Sequence, residues 1–200
     1  MSIEGTDWSH WNENPNPDPY SFIIHKATQG TKYVDPTYAD RARWIRDLGK
    51  VWGAYLFPVT NHREQDQVDH FVDVANIQPG ELVALDFEDD DTWRQYTMRA
   101  LAQMAQACMQ ALIAAYPNNR VLLYCNRSTY INIVRPYEVN VGDGLWIASP
   151  GQEPTMPWAI WQYGHGSVDY DRANFATLAQ FTSWAWKETG EEIDMTPEHA

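Results

Sequence analysis

Glu81-Leu82-Val83-Ala84-Leu85-Asp86-Phe87-Glu88-Asp89-Asp90-Asp91 is the stretch that decides how the chain is read. Leu82 to Leu85 is an apolar run of buried-strand length that follows the turn-forming pair Pro79-Gly80. The run then breaks into carboxylates, which is how a buried strand emerges into solvent or into a site. Side chains alternate faces along a strand, so Asp86 and Glu88 share a face while Phe87 turns back into packing. Two carboxylates on one face at a strand end suit cleavage of a glycosidic bond. One protonates the leaving oxygen, and the other stays ionised beside a positive transition state. The plainer alternative is an acidic, solvated loop after a strand.

Working outward, strands and helices alternate. Ile3 to Trp11 reads as a first strand running into a loop, with Asp7 near its end. Phe22 to Ala27 is a second strand and Val51 to Pro58 a third. Between them, Tyr38, Ala42, Ile45 and Leu48 recur at helical spacing over Thr37 to Leu48, and Gly49 stops the helix. Asn61 is placed to cap a helix carrying Val68, Phe71, Val72 and Ala75. His62 and His70 fall on that helix too far apart to share one ion, and no histidine pair has metal-ligand spacing. Thr97 to Tyr116 is the longest helix, with Met98, Met104 and Met109 expected in the core. Further strands follow at Val121 to Cys125, Gly144 to Ala148 and Trp158 to Tyr163, with a short helix from Ser128 and a short last strand at Val168 to Asp171. Asn174 to Trp186 closes as an amphipathic helix, and the polar stretch 187–200 reads as a tail or the start of a linker after a single domain over 1–186.

This alternation predicts an α/β fold with a parallel sheet. About eight strands with helices of unequal length favour an irregular, TIM-like (β/α) barrel, whose functional residues gather at the strand C-terminal ends. Asp7, Asp86, Glu88, Tyr124 and the Trp161 to Asp169 segment all fall at such ends. That convergence predicts one shared site.

The chain has 200 residues, 44% of them hydrophobic and 20% charged, which fits one soluble globular domain. Its net charge of −13 disfavours nucleic acid and anionic membranes as partners. No apolar run has membrane-spanning length, and the first residues lack the pattern of a signal peptide. Two cysteines, Cys108 and Cys125, are too few for a disulfide framework and are expected as small buried residues. Ten Trp and eleven Tyr are unusually many, and such rings suit stacking on sugars as well as core packing.

Gly5-Thr6-Asp7-Trp8-Ser9-His10-Trp11, Lys26-Ala27-Thr28-Gln29-Gly30, Gly53-Ala54-Tyr55, Leu85-Asp86-Phe87-Glu88, Leu145-Trp146-Ile147-Ala148, Trp161-Gln162-Tyr163 and Val168-Asp169 resemble, in order, the pattern of the glycoside hydrolase family 25 lysozymes. The resemblance spans nearly the whole chain. It implies an irregular β/α barrel that hydrolyses the β-1,4 bond between N-acetylmuramic acid and N-acetylglucosamine in bacterial peptidoglycan. It matches Glu88 to the general acid. It matches Asp86 to the carboxylate that steadies the cationic centre or a substrate acetamido group. Asp7 and Asp169 match further acidic residues of the site. Two departures stand out: Gln29, where the family often has Glu, and Ser149-Pro150, where an aromatic often follows.

Tyr55, Tyr124 and Trp161 are candidates for sugar contact, with core packing as the alternative. Asp89 to Asp91 lacks the turn glycine of a calcium loop and reads as a solvated acidic loop. The chemistry is expected to need no cofactor or metal, and the protein is expected to act as a monomer. Competing readings are a glycan-binding module of the same fold with a degraded site, and a chitinase or glucosaminidase. The resemblance to phage endolysins implies synthesis in a host cytoplasm, release to the wall, and a catalytic domain belonging to a longer protein.

Overall fold

The computed structural model describes residues 2–89 and 92–187. In chain order the strands are β1 (Ile3–Trp8), β2 (Phe22–Gln29), β3 (Tyr33–Val34), β4 (Val51–Phe57), β5 (Leu82–Asp86), β6 (Arg120–Asn126), β7 (Gly144–Ala148), β8 (Ile160–His165) and β9 (Asp169–Ala173). The sheet order is β1-β9-β8-β7-β6-β5-β4-β2-β3, and a further pairing of β1 with β2 closes it into a barrel. Among the described residues the two-residue β3 pairs only with β2 and lies outside the ring, so eight strands form the barrel. From β1 through β2 and β4 to β8, neighbours in the ring are parallel.

The last strand corrects the expectation of a wholly parallel sheet. β9 is antiparallel to both β8 and β1. Only Gly166, Ser167 and Val168 join β8 to β9. A parallel crossover needs a dozen residues or more, so this connection makes a hairpin.

The helices are α1 (Tyr38–Asp47), α2 (Glu64–Ala75), α3 (Met98–Ala115), α4 (Arg127–Thr129, continuing into a π-helical turn over Tyr130–Val134) and α5 (Leu178–Ala185). Alternation along the strands makes two cores. Outward residues such as Trp8, Ile23, Val83, Leu85 and Phe87 pack with Val68, Phe71, Leu101 and Leu112 of the helices. Inward residues at the N-terminal ends of the strands, among them Ile3, Phe22, Leu82 and Ile160, fill the barrel floor. Phe181 and Ala185 of α5 join this inner cluster, and the Phe22 and Phe181 rings sit 5.1 Å apart. The last helix therefore acts as a plug. Gly5 makes room for the Phe22 ring, because a Cβ there would lie 2.1 Å from it.

Several local expectations change. α2 starts at Glu64 after Arg63, without a side-chain cap, so Asn61 is not its cap and His62 lies before the helix. Val72 is exposed, while Val68, Phe71 and Ala75 are buried. Met98 is half exposed at the start of α3, while Met104 and Met109 are in the core. Thr97 caps α3 by accepting from the Ala100 N–H. The closing helix is shorter than expected, starting at Leu178. Both cysteines are buried and unpaired. The expected tail from 188 onward lies outside the described residues.

Candidate active site

Toward the strand C-terminal ends the inward positions turn polar. There they surround a cavity of about 350 Å³. Asp7, Tyr55, Asp86, Glu88, Tyr124 and Asp169, all expected from the sequence, line it. Trp146, Gln162 and His165 complete the wall. Trp161 is the expected residue that the barrel does not bring to the cavity. It neighbours Gln162 on β8, so alternation turns it outward. Its indole N–H donates to the Ser149 carbonyl at 3.0 Å, and the Arg172 guanidinium covers its ring at 5.8 Å.

Asp86 ends β5 and is almost completely buried, and its Oδ1 has no hydrogen-bond partner. Burial raises its pKa well above the ordinary carboxyl range; Glu88 adds to this, and Lys26 opposes it. Glu88 lies two residues further on, on the same face and partly exposed. Its pKa is also raised, by burial and then by Asp169, again against Lys26. Two neighbouring carboxyls in a poorly solvated pocket do not both ionise cheaply, so the pair retains a proton toward neutral pH.

The opposite wall is a second acidic group. Gln162 Nε2 donates to Asp7 Oδ2 at 2.7 Å, and the Tyr124 hydroxyl donates to Gln162 Oε1 at 3.1 Å. Below them, Asp171 is fully buried and accepts from the Trp146 indole at 2.8 Å. Burial raises both Asp7 and Asp171, and Asp171 Oδ2 is buried without a hydrogen-bond partner. Carboxyls crowded together out of water do not all ionise cheaply.

Residues 5–171 match the model of the family described as Glycosyl hydrolases family 25. The chain belongs to that family. Among solved structures, it is similar to the bacterial lysozyme of Streptomyces coelicolor, with 22% identity, 92% of this chain and 97% of that one covered, and a TM-score of 0.82. A muramidase from Trichobolus zukalii is 20% identical over 92% of this chain and 98% of its own, with a TM-score of 0.79. The catalytic domain of an endolysin from bacteriophage P40 of Listeria monocytogenes is 18% identical over 91% and 98%, with a TM-score of 0.75. At these identities the structural likeness is one of fold. No curated protein is significantly similar. Family membership makes this chain a glycoside hydrolase.

In this family 25 chain, Lys26 faces the barrel mouth on the same side of β2 as Phe22 and Ile24. Its Nζ donates to Gln29 Oε1 at 2.8 Å and lies 4.7 Å from the Phe57 ring centre. Gln29 is neutral, so that contact leaves the ammonium charge to act on Asp86 and Glu88. Sequence reasoning missed Lys26, Trp146, His165 and Asp171 as members of the site. For Trp146 and Asp171 a signal existed. Each stands two residues from another inward position, Trp146 before Ala148 and Asp171 after Asp169. Asp89 is exposed, and Asp90 and Asp91 lie outside the described residues.

Proposed function

We propose that this glycosyl hydrolase is a muramidase. It hydrolyses the β-1,4 bond between N-acetylmuramic acid and N-acetylglucosamine in bacterial peptidoglycan, with Glu88 as general acid and Asp86 as the partner carboxylate. The family and the fold shared with lysozymes, muramidases and an endolysin catalytic domain support this substrate. The observation that carries the residue roles is Asp86 Oδ1, a buried acceptor with no partner, beside a second carboxyl that reaches solvent.

A buried acceptor without a donor is costly. A substrate acetamido N–H relieves that cost and favours the Asp86 anion. The proton of the pair is then held on Glu88, whose longer, partly exposed side chain meets the leaving oxygen. As the bond breaks, Asp86 faces the developing positive charge directly or orients the acetamido oxygen toward it. Lys26 keeps the pair from retaining two protons. Asp7, Asp169, Tyr55 and Tyr124 bound the sugar pocket and supply its polar contacts. The product is a wall glycan with a new muramic acid reducing end. The enzyme therefore works on the wall, and export or release must bring it there.

The test uses purified peptidoglycan, borohydride reduction and identification of the reduced sugar. Reduced muramic acid is expected, and reduced glucosamine would make the enzyme a glucosaminidase instead. Glu88→Gln keeps shape but removes the transferable proton. Activity on peptidoglycan is expected to fall by roughly 10² to 10⁴-fold. An aryl glycoside with a good leaving group needs little protonation and is expected to be far less impaired. Asp86→Asn is expected to cripple both substrates alike. Equal impairment of both substrates by Glu88→Gln would remove Glu88 as the acid.

A further inference from the structure

Trp11 is 81% exposed, the most exposed of the large hydrophobic side chains among the described residues. It sits in the turn after β1, at the same end of the barrel as the acidic cavity. The turn is firmly built. The Ser9 N–H donates to Asn12 Oδ1 at 2.7 Å, and the Asn12 N–H donates back to the Ser9 carbonyl at 3.0 Å. Arg41 donates to the carbonyls of Ser9 at 2.8 Å and Asn12 at 2.6 Å. The His10 N–H donates to Asp35 Oδ2 at 2.9 Å, and Asp35 is itself buried. Asn12 Nδ2 donates to the Ser167 carbonyl at 3.1 Å, in the loop between cavity residues His165 and Asp169. These bonds brace a turn whose largest side chain faces water. An indole left largely in water contributes little to the stability of the fold.

The Asn12–Ser167 bond ties the turn to the cavity wall. Lys26, whose charge acts on Asp86 and Glu88, lies 5.7 Å from the Tyr33 ring centre. Tyr33 lies 6.0 Å from His10, its hydroxyl 2.9 Å from His10 Nδ1. His10 in turn contacts Trp11 at 4.3 Å between ring centres. A row of aromatic rings thus runs from Lys26, at the barrel mouth, out to Trp11. A flat, amphipathic ring such as the Trp11 indole suits the apolar face of a pyranose ring.

We propose that Trp11 is a distal subsite of the enzyme, a platform on which a sugar of the glycan strand stacks some way from the bond being cut. The inference rests on the muramidase reading. The occupant is the glycan strand itself, not its stem peptide and not a protein partner.

The test compares wild type with Trp11→Ala and Trp11→Tyr on soluble glycan strands stripped of stem peptides and on a tetrasaccharide. Taking the indole away from beneath a bound sugar is expected to raise KM on the long strands about three- to tenfold with kcat unchanged. A tetrasaccharide fills only the subsites next to the cleaved bond, and it is expected to be cleaved alike by all three proteins. Trp11→Tyr is expected to restore most of the KM. Unchanged KM on stripped strands, or an equal defect on both substrates, would overturn the distal subsite while leaving the muramidase reading intact. A defect seen only on strands that keep their stem peptides would assign Trp11 to the peptide and overturn it as well. Failure of the wild type to release muramic acid ends would instead sink the muramidase reading, and the subsite with it.

Discussion

Asp171 shows what the site costs the fold. It is fully buried, and its carboxyl is pushed up to about 7 by burial, against the hydrogen bond from the Trp146 indole. An unfolded Asp titrates near 3.9 as an ordinary value. Between those values the folded chain keeps a proton that the unfolded chain has lost. The stabilising contribution is therefore full below about pH 4 and is lost as pH rises through about 7. Asp171→Asn keeps the Trp146 bond and carries no charge at any pH. We expect it to be more stable than wild type at pH 8, by on the order of 2 kcal/mol, with the gap closing toward pH 4. Urea unfolding of both proteins across that range is the measurement, and a gap independent of pH would refute the assignment. His25 makes the difference between the proteins the right readout. Burial lowers its pKa to about 4, so it removes stability as pH falls and bends both curves alike. Asp86 and Glu88 were legible because carboxylates interrupt an apolar run. Asp171 was not picked out, although it stands two residues after Asp169 on the same strand and so shares its face. Trp161 was misplaced although Gln162 beside it held the answer, since adjacent strand residues cannot both face the barrel.

At the scale of elements, the parallel strands were legible because each is a short apolar run separated from the next by a helix or a long loop. The direction of β9 was not, since alternation of polar and apolar residues is the same read either way. The connection length was the available signal. The role of α5 was equally hidden. Its apolar face reads as packing on a sheet, yet Phe181 enters the barrel floor against Phe22 and Phe175. Phe181 therefore supports a part of the barrel that substrate does not touch. Phe181→Ala is expected to cost about 3 to 5 kcal/mol in urea unfolding. Below the unfolding transition the variant's KM is expected to match wild type. A changed KM with unchanged stability would mean that the floor of the barrel communicates with its mouth and is not simply a plug.

The whole molecule carries a charge that its substrate must overcome. At −13 the enzyme repels other polyanions, and many bacterial walls carry anionic polymers. One arrangement would reverse the expectation, a basic docking face on α1 built from Arg41, Arg43 and Arg46. The structure does not offer it. Arg41 is turned onto the carbonyls of Ser9 and Asn12. Arg46 is committed to Glu81 at 2.6 Å, and Arg43 lies 3.5 Å from Asp40. Long-range repulsion therefore dominates the approach to the wall, while binding at the cleft rests on hydrogen bonds and ring faces that salt screens little. The Debye length shrinks from about 30 Å at 0.01 M to about 10 Å at 0.1 M. Lysis of walls rich in anionic polymer is expected to accelerate over that range, and walls stripped of the polymer are expected to show little change. Turbidity loss measured at matched pH on both wall types separates the outcomes. A steady fall in rate with added salt on the anionic walls would show that attraction, not repulsion, governs the encounter.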